Sequence, residues 1–446
     1  MVAAVAVLCG VATLLALRIS VASDGPAPLE LAAGSLPPRS GLPLVEPRPA
    51  DDFVDSIGVN THLRYNDTAY ADFAAVERRL VESGIRHIRD DIAARRPDTY
   101  PLYRRLAKQG IRSTVILGSP LYGGEGSPWG TPEELVRVVQ RELLPSGAVE
   151  AVEGANEWDL SDREAWVAEL REHHQDVSRL LSETAALSSL PVIAPSMGRP
   201  LATEQFIELG SLAALTDYGN VHDYPGDKRM RREFLDEVLA NQSIMTGDQQ
   251  VIATETGYHQ GRPDTDEGSG HQAVSADAAG VLVPQLLLEH FEAGIPRTFL
   301  YELVDQHDRP SDIEANFGLL RSDFTPKPAF EALTNLIGLL EGRGSVPDLE
   351  PLGLTVEAGR GTVGTTLLQA RDDTWFLLVW RQGEPEDGDP CTRAPEGQVT
   401  VRFDRPMSGI SVHRPLCDDR VEVTTPSGGV TVELPEDVLV LELDAP

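Results

Sequence analysis

Two glutamates stand out for the way the chain delivers them. In Val152-Glu-Gly-Ala-Asn-Glu-Trp-Asp159 an apolar run ends on Asn156-Glu157, and in Val251-Ile-Ala-Thr-Glu-Thr-Gly-Tyr-His259 a β-branched run ends on Glu255 before a glycine-containing loop. Each reads as a strand tip that offers a carboxyl group. Two carboxyls presented together suit complementary roles, one passing a proton and the other acting as a nucleophile. Either alone would be an ordinary loop residue, so the weight rests on the elements that carry them.

Apolar runs bounded by turn residues predict eight short strands, at 54–59, 85–88, 111–117, 149–153, 192–194, 219–222, 251–254 and 298–303. Between them lie segments of helical period, at roughly 70–82, 99–108, 202–214, 230–240, 276–293 and 327–340. Two further helix starts are marked by Thr131-Pro-Glu-Glu134 and Ser161-Asp-Arg-Glu164, which fit the capping box. Eight strand-then-helix units over about 290 residues match a (β/α)₈ TIM barrel, an α/β fold whose active sites sit at the C-terminal ends of the strands. Glu157 then follows strand four and Glu255 ends strand seven.

Past Leu340 the helical pattern stops. Short alternating runs at 365–370, 374–380, 398–403, 409–413, 421–424 and 438–443 predict a small all-β antiparallel sandwich. Trp375 and Trp380 are five apart and so belong on opposite faces of one strand, with at least one in a core. The expected organisation is a signal peptide or N-terminal membrane anchor at 1–23, a Pro-rich linker at 24–51, the barrel at 52–342 and the sandwich at 343–446. Residues 2–17 are apolar but short for a membrane span, and Val21-Ala-Ser23 has the small-residue pattern of a cleavage site, while Arg18 lies after the run instead of before it. Loss of a leader containing Cys9 would leave Cys391 and Cys417, an even pair expected to form a disulfide in an oxidising compartment.

The pair of glutamates in this setting resembles the clan-A retaining glycoside hydrolases over about residues 52–342, and the tail Phe317-Gly-Leu-Leu-Arg321 followed by Pro326-Lys-Pro328 looks like the end of bacterial enzymes similar to families five and thirty-nine. Asn156-Glu157 and Thr254-Glu255 match the clan's two defining positions. The resemblance implies that Glu157 is the acid/base and Glu255 the nucleophile. It extends to substrate contacts at Asn156, at Arg89 after strand two, at His62 after strand one, and at His222 and Tyr224 after strand six, with Asn156 bonding the sugar's 2-hydroxyl. Where many clan members place a Trp floor on strand eight, this chain has Tyr301-Glu302, which are taken as contacts in its stead. Trp129 in the Gly-rich loop after strand three is a further candidate for stacking on a sugar. Arg89 and Tyr224 are expected to hold Glu255 ionised, and apolar Trp158 to keep the proton on Glu157.

Composition bounds the alternatives. A formal net charge of −32 would repel nucleic acid and anionic membrane, so the expected partner is an oligo- or polysaccharide, with a membrane reached only through an uncleaved anchor. A monomer acting outside the cell is expected. Gly359-Arg-Gly-Thr-Val-Gly364 satisfies the dinucleotide pattern but lies between β-like runs, and reads as a hairpin turn. His173-His174, in a helical run, suits solvent better than a metal, and neither a metal nor another cofactor is expected. Two other functions stay open: a non-catalytic sugar-binding barrel, which has no reason to keep both glutamates, and a polysaccharide lyase, which needs a base and several cations in its cleft.

Overall fold

The computed structural model describes residues 29–118, 129–161, 163–262, 271–341, 348–370, 374–386, 388–395, 397–423 and 427–445. Three short strands come first, β1 (Leu31–Ala33), β2 (Leu44–Val45) and β3 (Arg48–Pro49), followed by α1 (Ala50–Asp55). Residues 54 and 55, expected to open the first barrel strand, belong instead to α1. Pro49 precedes the helix and Asp51 and Asp52 occupy its first turn, where carboxylates meet the positive end of the helix dipole.

The barrel strands are β4 (Ile57–Asn60), β5 (His87–Asp91), β6 (Arg112–Ile116), β7 (Val149–Glu153), β8 (Val192–Ile193), β9 (Gly219–His222), β10 (Val251–Thr256) and β11 (Thr298–Leu300). All pair in parallel in the order β8-β7-β6-β5-β4-β11-β10-β9, and a bridge between Ile193 and Tyr218 joins the two ends of the sheet. Helices α2 (Phe73–Ser83), α3 (Tyr100–Ala107), α4 (Pro132–Val138), α5 (Trp166–Glu183), α6 (Thr203–Leu209), α7 (Arg232–Thr246), α8 (Ala276–Glu292) and α9 (Pro328–Leu340) alternate with them. The capping box at Thr131 forms, with the Thr131 N–H donating to Glu134 Oε2 at 3.0 Å. The one expected at Ser161 does not. That hydroxyl donates to the Trp158 carbonyl at 2.7 Å to close a single 3₁₀ turn, and α5 begins only at Trp166. The pair His173-His174 is not in solvent either: His173 Nε2 donates to the Leu117 carbonyl at 2.6 Å and His174 is fully buried behind the barrel wall.

Inside the barrel, Ala151, Ile193, Ile252 and Phe299 form an apolar plug. The Phe299 ring lies where a Cβ on Gly58 would sit, 2.4 Å from its nearest atom, so any larger residue at 58 would displace the plug.

The chain then forms β12 (Leu352–Ala358), β13 (Val363–Gln369), β14 (Trp375–Arg381), β15 (Gly397–Met407), β16 (Gly409–Arg414), β17 (Asp419–Val423), β18 (Ser427–Leu434) and β19 (Leu439–Asp444). They make two sheets, β1-β18-β15-β12-β2 and β17-β16-β19-β14-β13-β3. Residues 359–362 therefore connect strands of different sheets, and the expected hairpin there is a crossing turn. The expected Pro-rich linker is also structured over 29–49: β1 and β2 close the two edges of one sheet and β3 an edge of the other. Edge positions are where a strand tolerates proline, because half of its N–H groups face outward. Cys391 and Cys417 are joined, with Cα atoms 5.5 Å apart.

Strand β14 is apolar on both faces because both are covered. Trp375, Leu377 and Val379 enter the core between the sheets, while Phe376, Leu378 and Trp380 pack into the core shared with the barrel. Trp380 Nε1 donates to Glu289 Oε1 on α8 at 2.8 Å, and Arg229 reaches the same carboxylate at 3.0 Å. Trp380→Ala should destabilise the protein by about 3–5 kcal/mol, and Trp380→Phe by less, measured by chemical denaturation. Equal stability of the two variants would mean that the barrel face of β14 contributes little.

Candidate active site

Moving from the apolar plug toward the C-terminal ends of the strands, the next inward positions are polar. Two residues beyond Gly58, Ala151 and Ile252, on the same strand face, stand Asn60, Glu153 and Thr254, joined by Arg89 and Asn220. Arg89 is the hub, and all five of its N–H groups are used. Nε and Nη2 donate to Glu153 at 2.5 and 2.7 Å, Nη1 to Glu255 Oε1 at 2.5 Å and Asn60 Oδ1 at 2.9 Å, and Nη2 also to Asn156 Oδ1 at 2.6 Å. Glu153 in turn accepts from Asn220 Nδ2 at 3.0 Å.

Thr254 and Glu255 are adjacent, yet both meet this network. Between Ala253, opposite Val221, and Glu255, opposite His222, β10 carries one extra residue, a bulge that turns the second side chain inward. Tyr224 donates to Glu255 Oε2 at 2.8 Å. Burial by itself pushes the Glu255 carboxyl up, but the charges of His222 and Arg89, with hydrogen bonds from Arg89 and Tyr224, outweigh it and bring the pKa down to about 2.

Glu157 reaches the same rim by a different device. Its backbone is left-handed (φ 47°, ψ 46°), a conformation costing a non-glycine residue about 1 kcal/mol or more, and its N–H donates to Ser196 Oγ at 3.2 Å. The carboxylate meets His222 Nδ1 at 2.7 Å, and His222 Nδ1 lies 3.5 Å from Glu255. A donor atom of each of the three residues lies within 4.8 Å of the others. The trio could ligate a cation only by displacing Arg89 from Glu255 and the proton between His222 and Glu157. That proton can be placed by elimination. The Thr254 hydroxyl has acceptors in Asn220 Oδ1 at 2.6 Å and Glu153 at 3.3 Å, so toward His222 Nε2, 3.0 Å away, it can only accept. Nε2 therefore carries a hydrogen, and one further proton is shared between Nδ1 and Glu157. Burial disfavours a charged His222, but the Glu255 charge and the bond to Glu157 outweigh it and raise its pKa.

These groups line a cavity of about 560 Å³. Asn156, Glu157, Glu255, His62, His222, Tyr224, Trp129 and Tyr301 all reach it. Asn156 uses its oxygen on Arg89 and on Ser196 Oγ, 3.2 Å away, which leaves its NH₂ for a ligand. Arg89 touches the cavity, with each of its N–H groups taken by a protein oxygen. Trp129, Arg64, Tyr65 and His62 form a continuous stack along one wall, at successive spacings of 4.5, 4.4 and 4.5 Å. Burial, then the nearby Arg64 charge, pulls the His62 pKa down to about 3, so this ring is neutral. Two of the expected contacts do not line the cavity. Trp158 turns away, because the left-handed turn at Glu157 sends consecutive side chains to different sides, and it packs against His173 and a satellite core. Glu302 lies behind the wall, fully buried, where it accepts from Tyr70 at 2.9 Å and faces His62 at 3.3 Å.

The sequence reading missed Glu153, Asn220 and Phe317, whose ring meets Tyr224 and Tyr301 edge-on at 5.6 and 5.4 Å. It also missed Glu314 at the cavity mouth, where burial and then the Glu255 and Glu157 charges push the carboxyl up to about 7. Glu153 had a signal: a charged residue on an inward position of a central strand needs a partner, and Arg89 is the cation on the matching face two strands away.

No family model and no curated protein matches this chain by sequence. Solved structures match it well. A family 39 glycoside hydrolase from the gut symbiont Bacteroides cellulosilyticus WH2 is similar with a TM-score of 0.58 at 18% identity, over 90% of this chain and 83% of that one. A family 39 enzyme from Xanthomonas axonopodis pv. citri gives 0.55 at 15%, over 97% and 100%. A monomeric beta-xylosidase from Caulobacter crescentus CB15 gives 0.57 at 14%, over 90% and 98%. The fold is the one these enzymes share. It is a barrel with an attached β-sandwich, as expected.

Arg89→Lys tests the hub. Lysine brings three donors to five acceptors, so part of Glu153, Glu255, Asn60 and Asn156 must go unpaired, and the variant should lose about 3 kcal/mol or more by denaturation. A loss under about 1 kcal/mol would show that the network repacks around an ammonium.

Proposed function

We propose that the protein is a retaining glycoside hydrolase acting on a β-linked glycan, with Glu255 as nucleophile and Glu157 as acid/base. The observation that carries this is the pairing of two unlike carboxyls at one rim. Glu255 is fixed as an anion by Arg89 and Tyr224, and an oxygen of Glu157, within 4.8 Å of it, shares a proton with His222. That spacing suits direct attack; an inverting pair, at roughly 6.5–9.5 Å, leaves room for a water between carboxyl and sugar. The similar solved structures, two family 39 enzymes and a beta-xylosidase, support the same reading.

In the first step Glu255 attacks the anomeric carbon as Glu157 passes its proton to the departing glycosidic oxygen, forming a glycosyl ester on Glu255. In the second, Glu157 takes a proton from water, whose oxygen displaces Glu255 and releases the sugar. In this reading the amide NH₂ of Asn156, which no acceptor among the described residues takes up, bonds the 2-hydroxyl, and Tyr301 with Phe317 serves as the apolar floor. The lyase alternative fits less well, since the guanidinium of Arg64 is paired with Asp91 at 2.5 Å and that of Arg89 with Glu153 and Glu255. The cystine, with the apolar N-terminal run, supports action outside the cytosol.

Aryl glycosides of varied leaving group provide the test. Glu255→Gln should abolish turnover for all of them. Glu157→Ala should lose about 10²–10⁴-fold on substrates with poor leaving groups, keep rapid glycosylation with activated ones, and recover turnover with added azide, giving a β-glycosyl azide. Azide rescue of Glu255→Gln with inverted configuration, and none of Glu157→Ala, would reverse the two roles.

His222 adds a pH test. Its raised pKa means that the shared proton is held through the unperturbed histidine value of about 6.5 and is lost as pH rises above the raised one. Activity should fall on that alkaline side. His222→Asn should move the alkaline limb of kcat/KM to lower pH, and an unmoved limb would place the proton elsewhere.

A further inference from the structure

Behind the cavity lies a buried contact between an aspartate and a histidine that the chemistry above does not use. Asp223 stands between His222 and Tyr224, the two residues that touch Glu157 and Glu255. Its side chain points the other way and is fully buried. Among the described residues no hydrogen-bond donor reaches either carboxylate oxygen with good geometry. The nearest partner is His290 Nε2 on α8, 3.0 Å from Oδ2 and likewise fully buried. The two side chains are in close contact but are not aligned as a hydrogen bond. His290 Nδ1 is itself fixed by Thr298 Oγ1 at 3.0 Å, on β11. The Asp223 backbone is tied to the nucleophile strand at two points, its N–H donating to the Glu255 carbonyl at 3.3 Å and its carbonyl accepting from Thr256 Oγ1 at 3.0 Å.

A carboxylate at such depth is strongly disfavoured unless a partner lies against it. The segment His222-Asp223-Tyr224 keeps this path with the His290 ring, itself fixed by Thr298, seated against that carboxylate. We infer that His290 is a positioning residue for both glutamates, acting from an outer helix through Asp223 to hold His222 on Glu157 and Tyr224 on Glu255. The inference deepens the glycosidase reading and rests on it for its kinetic readout.

His290→Gln tests it, with Asp223→Asn as the partner variant. Each should lower kcat on an aryl glycoside about ten- to hundredfold, as displacements of about 1 Å at a reacting centre do, with KM within about twofold. A general loss of packing would also lower the melting temperature, so two readouts separate positioning from packing. Glu255 faces His222, Tyr224, Arg89, Glu157 and Glu314; with the first two loosened, its ionisation should need a higher pH, and the acid limb of kcat/KM should move up. Tyr224→Phe removes the same contact directly, so His290→Gln added to Tyr224→Phe should cost far less than it does alone. Full additivity, or an unmoved acid limb in a folded His290→Gln protein, overturns the inference. Should the protein hydrolyse no glycoside at all, the crystal structure of His290→Gln still decides: Tyr224 displaced from Glu255 supports the positioning role while the glycosidase reading falls, and an unchanged contact overturns the positioning role.

Discussion

A guanidinium sealed inside the barrel sets the terms for everything at its rim. Arg89 cannot be solvated there, so its charge must be answered by carboxylates and each N–H by an oxygen in a fixed direction. The acceptors come from β4, β7, the loop after β7, and β10. No two adjacent strands could supply them, so the network is complete only when the barrel is closed. In return Arg89 fixes Glu255 as an anion, turns the Asn156 amide so that its NH₂ is left for a ligand, and requires Glu153 beneath. Buried charge here secures an arrangement more than it adds stability, since an apolar lumen would fold as readily.

The two glutamates share one cavity and differ because their partners differ. Glu255 accepts from Arg89 and Tyr224, and Glu157 meets a ring nitrogen that can give a proton or take one. The asymmetry was expected from the sequence but assigned to the wrong neighbour. Trp158, next to Glu157 in the chain, lies away from its carboxyl in space, and the partner that shares a proton with it is a histidine 65 residues further along. Sequence proximity misleads at a left-handed residue, because the backbone there reverses the side on which the next side chain emerges.

What could be read from the sequence follows from periodicity. The strands, their order around helices, the β region and the placement of Glu157 and Glu255 at strand ends all rest on the alternation of apolar and polar residues, which burial imposes directly. What could not be read rests on local departures from that alternation. The bulge in β10 lets two consecutive residues face inward, and no pattern of period two marks it. Glu302 looked available because it follows a strand, whereas the loop beyond it folds back and covers it. The prolines of 29–49 suggested a free chain, yet proline is equally at home on the sheet edges that this segment occupies.

Those edge strands place an early part of the chain in contact with a very late one. Leu29 N–H donates to Asp419 at 2.6 Å across 390 residues of sequence, and β1 lies on β18. During synthesis the ribosome releases the early strands first and their partners last. The barrel has all of its strands in between and can close while 29–49 still waits. The β-sandwich then completes around a segment tethered to a finished barrel, a small search instead of a loop closure through a disordered chain. The order of translation can thus convert the longest-range strand pairing among the described residues into one of the easier steps.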